Sequence, residues 1–269
     1  MINDFTNLDL NKYDRIFAIG CSFTAYRWPT WADILIRGNG LDSKFINLGK
    51  SGAGNQYISQ HLSLANLKYK FTDRDLVMVM FTGITREDRY VNNQWQTPGN
   101  IYTQNYYNEA FIEKYADIKG YMIRDGALID MSYAYMKSQS CDTIMLLSVP
   151  LDYQGNYVLV QEEVGQLVGP AFDRLPTSMY TTVIQNPGAP VEWISGAIYY
   201  DHAHKDKKYE DYHPTPLKYY EYLKKLGIPM SEDLHRYSQT ATEKLQQCEN
   251  ITEIEAVFPM CREQLRTII

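Results

Sequence analysis

Ser22 stands where a strand would deliver a nucleophile. It follows the four apolar residues 16–19, Ile-Phe-Ala-Ile, a run too short for a helix and rich enough in branched and aromatic types for a buried strand. The next five residues, Gly20-Cys21-Ser22-Phe23-Thr24, have the chemistry of a turn. In an open α/β sheet ligands bind at the carboxyl ends of the strands, so a hydroxyl held there is placed as a nucleophile would be. An ordinary strand-to-helix turn, with Ser22 or Thr24 capping the next helix, is the competing account. Cys21 is a second possible nucleophile, but nothing in the sequence supplies it with an activating partner, and a buried packing thiol fits its position better. Asp201-His202-Ala203-His204 would put two imidazoles on one face of an extended segment. No third ligand accompanies them, so a solvated loop is expected and no metal site is assigned. His61 and His235 fall within helical patterns and read as structural.

The elements that must position Ser22 alternate between strand and helix through residue 150. After the turn, Trp28-Pro29 and the apolar positions Trp31, Ala32, Ile34 and Leu35 predict a helix with proline in its first turn, ended by Gly38 and Gly40. A short strand follows at 45–48. The turn Gly49-Lys50-Ser51-Gly52-Ala53-Gly54-Asn55 then opens a helix with Ile58, Leu62, Ala65 and Tyr69 at helical spacing. Residues 75–81 are the most continuous apolar run, as a central parallel strand covered on both faces requires, and 82–88 form a polar loop beyond it. A long helical region at about 108–138, interrupted near Gly120 and Gly126, leads to a strand at 143–149. From 151 to 210 no period is sustained. A structureless loop of that length is improbable in a packed domain, so an insertion with small elements of its own is expected, serving as a lid or substrate-binding flap. A helix follows at about 217–226, stopped by Gly227 and Pro229. Appended helices close the chain, one starting at Ser231 and another from a capping box at Thr252–Glu255 that Pro259 kinks.

Composition narrows the class. The 269 residues are 45% hydrophobic and 22% charged, enough for one large α/β domain with an appendage. A net charge of −6 argues against a general nucleic-acid surface. No apolar run is long enough to span a membrane, and residues 1–7 lack a signal peptide's basic and apolar regions, so a cytoplasmic location is expected. Four scattered cysteines are expected to be free thiols. The 23 tyrosines, dense across 90–107 and 199–222, are compatible with a glycan groove and equally with a wet interface.

In the order of its turns the chain resembles the SGNH (GDSL-like) hydrolase family. Gly20-Cys21-Ser22-Phe23-Thr24 is similar to that family's nucleophile block, Asn47-Leu48-Gly49-Lys50-Ser51-Gly52 to its glycine block, and Asp211-Tyr212-His213-Pro214 to its Asp-His block. The resemblance spans about 13–150 and 210–227. It implies a three-layer α/β/α sandwich around a mostly parallel, flavodoxin-like sheet, organised as a hydrolase domain over 1–230, with the insertion at about 151–210, and a helical extension over 231–269.

The chemistry it implies is serine-dependent acyl transfer. Ser22 would attack, His213 would take and return the proton, and Asp211 would orient the imidazole. The N–H groups of Ser22 and Gly52 would hold the oxyanion, with Asn55 adding a donor or serving as a helix cap. Two positions depart from the family. Gly83-Ile84-Thr85-Arg86 stands where Gly-x-Asn is usual, leaving Thr85, or Thr82, as a hydroxyl donor and Arg86 as a contact to substrate or a salt-bridged loop residue. The family's aspartate lies three residues before histidine, which here is Glu210, so Glu210 competes with Asp211. The expected reaction is removal of a small acyl group, O-acetyl on a carbohydrate being one case. An acyltransferase with the same triad and a degenerate binding module are the alternatives. The expected partner is a small-molecule or glycan ester, with no cofactor, nucleic acid or membrane.

Overall fold

The computed structural model describes residues 1–2, 4–102, 106–150, 164–184, 198–200, 208–210 and 213–263. Four strands form the central sheet: β1 (Arg15–Gly20), β2 (Phe45–Asn47), β3 (Asp75–Phe81) and β6 (Asp142–Leu147). The numbers β4 (Arg89–Val91) and β5 (Gln94–Gln96) belong to a separate hairpin, and β7 (Ile198–Tyr200) with β8 (Lys208–Glu210) to another. The sheet order is β2-β1-β3-β6 and every pairing in it is parallel. Phe17 lies opposite Ile46 on one side and Val77 on the other, and Val77 opposite Thr143. All seven residues of β3 are buried, as its unbroken apolar run requires.

The strand order dictates where the helices go. The step from β1 to β2 moves outward in the sheet and the step from β2 to β3 moves back across β1. Because such crossovers are right-handed, the helices that make them fall on opposite faces. Accordingly α1 (Trp31–Arg37) packs against α6 (Pro216–Lys225) and α7 (Glu232–Gln247), whereas α2 (Asn55–Tyr69) packs against α4 (Ile118–Lys137), which in turn holds α5 (Gln166–Phe172). This is the α/β sandwich that the family resemblance implied, around the parallel sheet expected from the alternation of strands and helices. Connections leave β1 and β3 in opposite directions at their carboxyl ends, which opens the crevice where doubly wound sheets bind ligands.

Several local expectations shift. Helix α1 begins at Trp31 with Thr30 as N-cap, so Pro29 precedes the helix instead of entering its first turn. Asp33 closes the cap by accepting the Thr30 N–H. The 108–138 region breaks into α3 (Glu109–Tyr115) and α4 at Ala116–Asp117, where Asp117 accepts from Lys119 N–H, and not at Gly120 or Gly126. Both glycines lie within α4, and Val168 of α5 packs closely against Gly126. Helix α8 (Ile251–Val257) is capped by Asn250, two residues before the expected Thr252, because Asn250 Oδ1 accepts from Glu253 N–H while the Glu253 carboxylate accepts from Glu249 N–H. Helix α9 (Pro259–Glu263) follows.

The hairpin β4–β5 was not anticipated. Its turn is Asn92-Asn93, both at positive φ (53° and 60°), the conformation that asparagine tolerates and that two-residue hairpins favour. Within the 151–210 segment, Val168, Phe172 and Met179 are buried in the same cluster as the sheet. A second cluster lies apart from it, formed by Trp28 with Ala241, Leu245, Cys248, Ile254, Phe258 and Cys261. The four cysteines are free and buried. No helix among the described residues is long and apolar enough to cross a membrane.

Candidate active site at the carboxyl ends of β1 and β3

The chain leaves β1 through one tight turn, in which Cys21 O accepts from both Thr24 N–H and Ala25 N–H. Gly20 permits it: a Cβ there would lie 2.1 Å from Thr24 Oγ1 and 3.0 Å from Met80 O. The turn is held from outside as well. Thr24 O accepts from the Thr30 hydroxyl at 2.8 Å and from Asn47 Nδ2 at 2.9 Å, and Asn47 Oδ1 accepts from Gly49 N–H. Ser22 is 4% exposed. Among the described residues neither its hydroxyl nor its N–H forms a hydrogen bond.

His213 is brought to this turn from the far end of the chain. Its ring stacks on Tyr26, centroids 3.8 Å apart and planes 17° apart, with Phe23 at 5.1 Å and Trp28 edge-on at 6.2 Å. Trp28 is fully buried and its Nε1–H donates to Pro214 O at 2.9 Å, fastening the residue after the histidine to a position 186 residues earlier. The imidazole therefore sits in an aromatic box built by the residues that flank Ser22. No hydrogen bond between Ser22 Oγ and the ring is formed among the described residues; such bonds often tighten only when substrate binds. Asp211 lies outside the described residues, as do His202 and His204. Glu210 is the last residue of β8, its backbone opposite Ile198.

The glycine block reaches the same place. Lys50 N–H donates to Gly20 O, and Ala53 N–H to Lys50 O, closing a turn in which Gly52 has φ = 75°. That angle at the third position is the type II turn that demands glycine. A side chain would in any case collide with the segment that follows the hairpin, since a Cβ on Gly52 would lie 2.0 Å from Thr97 O. Thr97 also donates its hydroxyl to Ser51 O. The Gly52 N–H makes no hydrogen bond among the described residues.

The remaining candidates are occupied differently. Asn55 is fully buried at the start of α2; its Nδ2 donates to Thr82 O and to Asp125 Oδ2, and its Oδ1 accepts from Thr82 N–H. Both amide hydrogens are thus committed to a clamp between α2 and the end of β3. Arg86 donates from Nη1 to Ala53 O at 2.9 Å, holding the glycine turn from the other side. Thr85 is 5% exposed, and its carbonyl accepts from Ile101 N–H. Thr82 Oγ1 is buried with no hydrogen-bond partner among the described residues.

Two carboxylates and an arginine escaped the sequence analysis. Asp88 caps α2 across space, accepting from Gly54 N–H at 2.8 Å and Tyr57 N–H at 2.8 Å. Burial pushes its carboxyl up, against the pull of those N–H groups and of Arg86 and Arg124. Arg124 on α4 binds Asp125 at 2.6 Å, Glu87 at 3.3 Å and Arg86 O at 2.8 Å, so α4 orders the loop after β3. Burial raises Asp125 to about 6, opposed by Arg124 and Asn55. No short-range pattern marks these groups, because a cap supplied by another loop has no fixed spacing to its helix. Of the expected structural histidines, His61 stacks on Tyr57 at 3.6 Å with Nδ1 on Tyr57 O, and Nε2 is buried without a partner among the described residues. His235 is exposed, beside Tyr220.

Sheet order and turn geometry together define a doubly wound α/β protein that presents a serine, a histidine and two unpaired backbone N–H groups at its switch point. No family model matches the chain, and no curated protein matches it. Among solved structures it is similar to a member of the lipolytic protein G-D-S-L family from Veillonella parvula (TM-score 0.39, 14% identity, 78% of this chain against 94% of that one). It is also similar to a GDSL-like lipase from Bacteroides thetaiotaomicron (0.38, 12%, 81% against 87%). A third likeness is to the psychrotrophic esterase EstA from Pseudoalteromonas sp. (0.33, 13%, 65% against 82%). At that degree of likeness the comparisons carry no argument about chemistry, which rests on the residues themselves.

Proposed function

We propose that this protein is a serine-dependent esterase that removes a small acyl group, with Ser22 as nucleophile and His213 as general base. Asp211 orients the imidazole, with Glu210 as its competitor. The reading is carried by one observation: the imidazole of His213 is stacked on Tyr26, in the segment that leaves the Ser22 turn. Ser22 Oγ attacks the ester carbonyl, its proton passes to the ring, and the ring returns it to the leaving alcohol as the acyl-enzyme forms. Water then repeats the sequence to release the acid. The Ser22 and Gly52 N–H groups receive the oxyanion, a donor of this kind being worth about 3 kcal/mol in the transition state. In this scheme Asn55 is a positioning residue, because both its amide hydrogens are spent on Thr82 and Asp125, and Arg86 positions the glycine turn through its Nη1–H bond to Ala53 O. O-acetylated carbohydrate is one substrate of the class, and transfer to an alcohol or sugar instead of water uses the same groups.

The deciding experiment is exposure to an alkyl fluorophosphonate followed by peptide mass mapping. Labelling at Ser22, together with hydrolysis of nitrophenyl acetate, is the expected result. An unlabelled protein that is inert to esters returns the chain to the class of binding modules.

A further inference from the structure

The C-terminal helices build a wall beside the turn that carries Ser22. A cavity of about 220 Å³ is lined on one side by Ala25, Tyr26, Arg27 and Ser51, and on the other by Glu255, Phe258 and Cys261. The near side consists of immediate neighbours of the proposed machinery. Ala25 N–H closes the Ser22 turn on Cys21 O, Tyr26 carries the His213 ring, and Ser51 precedes Gly52. On the far side, beside Glu255, Phe258 and Cys261 supply an apolar surface; they are 6% and 5% exposed and belong to the Trp28 cluster, separate from the sheet core. Among the described lining residues the polar groups are Ser51, the Tyr26 hydroxyl and the ion pair of Arg27 with Glu255 at 3.2 Å, both members of which are partly exposed.

We propose that this cavity receives the acyl chain of the ester, so that α8 and α9 set which chain lengths are accepted. An apolar recess next to a polar reaction centre suits a straight hydrocarbon chain attached to a carbonyl. At about 220 Å³ the cavity is smaller than the roughly 300–1,000 Å³ of a drug-sized site, which suits a short chain. Within that volume each methylene buried should speed acylation about four-fold, the rate equivalent of its transfer from water. The placement of the carbonyl rests on the esterase reading; the affinity of the cavity for a short alkyl chain does not.

The test uses the full chain with two substitutions of opposite sense, Cys261→Phe to fill the cavity and Phe258→Ala to enlarge it. Labelling rates at Ser22 are compared for ethyl- and hexyl-phosphonofluoridate, the alkyl group on phosphorus standing for the acyl chain. The parent should favour hexyl by at least ten-fold, Cys261→Phe should lower that ratio at least ten-fold, and Phe258→Ala should move the optimum to octyl. A ratio unchanged by both substitutions overturns the proposal. Saturation transfer from the protein to 1-hexanol, by NMR, separates the two readings. Transfer lost in Cys261→Phe supports the cavity even if no phosphonate labels Ser22, in which case the esterase reading alone fails. Absent transfer, or transfer equal in the parent and both variants, overturns the cavity assignment whatever happens at Ser22. Should Cys261→Phe fail to fold, Phe258→Ala decides: an unmoved chain-length optimum, or hexanol transfer unaltered by the enlargement, overturns it.

Discussion

The turn after β1 and the loop after β3 leave adjacent strands of one sheet and treat their polar groups in opposite ways. In the β1 turn the hydrogen bonds run through Cys21 O, Thr24 O, Asn47 and Thr30, while Ser22 keeps its hydroxyl and N–H uncommitted among the described residues. In the β3 loop nearly every charge is spoken for: Arg86 on Ala53 O, Asp88 on the N-terminus of α2, and Glu87 between Arg89 and Arg124. A polar group that holds the fold has already satisfied its bonds and has little left to give a substrate. The β1 turn is therefore where reaction is expected, and the β3 loop is the scaffold that keeps the glycine turn beside it. Breaking a group in the first should cost rate, and breaking a group in the second should cost stability.

The sharpest separation comes from Ser22→Ala. Turnover of nitrophenyl acetate should fall at least about 10⁴-fold, as when a nucleophile of this kind is deleted, while the melting temperature stays near the parent's because the hydroxyl forms no hydrogen bond among the described residues. An unaltered rate in purified variant would remove Ser22 from the mechanism. Next in size, Asp211→Asn should lower kcat by about 10³-fold or more by leaving the imidazole in the wrong tautomer, with Glu210→Gln within a few-fold of the parent. The reverse ranking makes Glu210 the orienting group.

On the scaffold side, Asp88→Ala strips the cap from α2. Loss of a cap costs about 0.5–2 kcal/mol and a hydrogen bond to a charged group about 1.5–3 kcal/mol, so urea denaturation should show a deficit of about 3 kcal/mol. Its kcat, measured well below the melting transition, should change less than ten-fold; a rate loss as large as that of Ser22→Ala would erase the distinction between the two loops. Smaller still is Trp28→Phe, which removes the Nε1–H bond to Pro214 O and loosens the box around His213. Because a displacement of about 1 Å can cost 10²-fold, kcat should drop between about ten- and a hundred-fold with KM nearly unchanged. A normal kcat would show that the tether is dispensable.

The mildest effect is pH-dependent and tests α2 beneath the glycine turn. Burial depresses His61 to about 4, against a Tyr57 carbonyl contact that favours the charged ring. A histidine depressed on folding contributes stability that is present above its unfolded value of about 6.5 and lost as pH falls through about 4. His61→Gln should flatten this part of the stability profile between pH 6.5 and 4. Persistence of the full parental slope would assign the acid transition to other groups.

Much of this arrangement was legible in residue order alone. The apolar runs at 16–19 and 75–81, the turns that follow them and the helical spacing from Ile58 to Tyr69 are local patterns, and local patterns report strands, turns and helices directly. Alternation of those elements implied a parallel sheet, and with it the location of Ser22 at a carboxyl end. Helix boundaries moved where a side chain from nearby took the cap, as Asn250 did for α8 and Asp117 for α4. The short hairpin was missed although Asn92-Asn93 marks its turn, because three-residue strands are too short to show a period.

Sequence order by itself determined the α/β alternation, the serine at the end of β1 and the glycine that a type II turn needs at position 52. Tertiary structure alone decided that His213 would rest on Tyr26 under the tether of Trp28, that Asp88 would cap a helix from another loop, and that the Asn55 amide would be consumed by Thr82 and Asp125. The physical reason is range. Turns and periodic faces are set by sterics and burial over a few neighbouring residues, whereas a hydrogen bond between groups brought together by the whole fold leaves no spacing for a sequence to display.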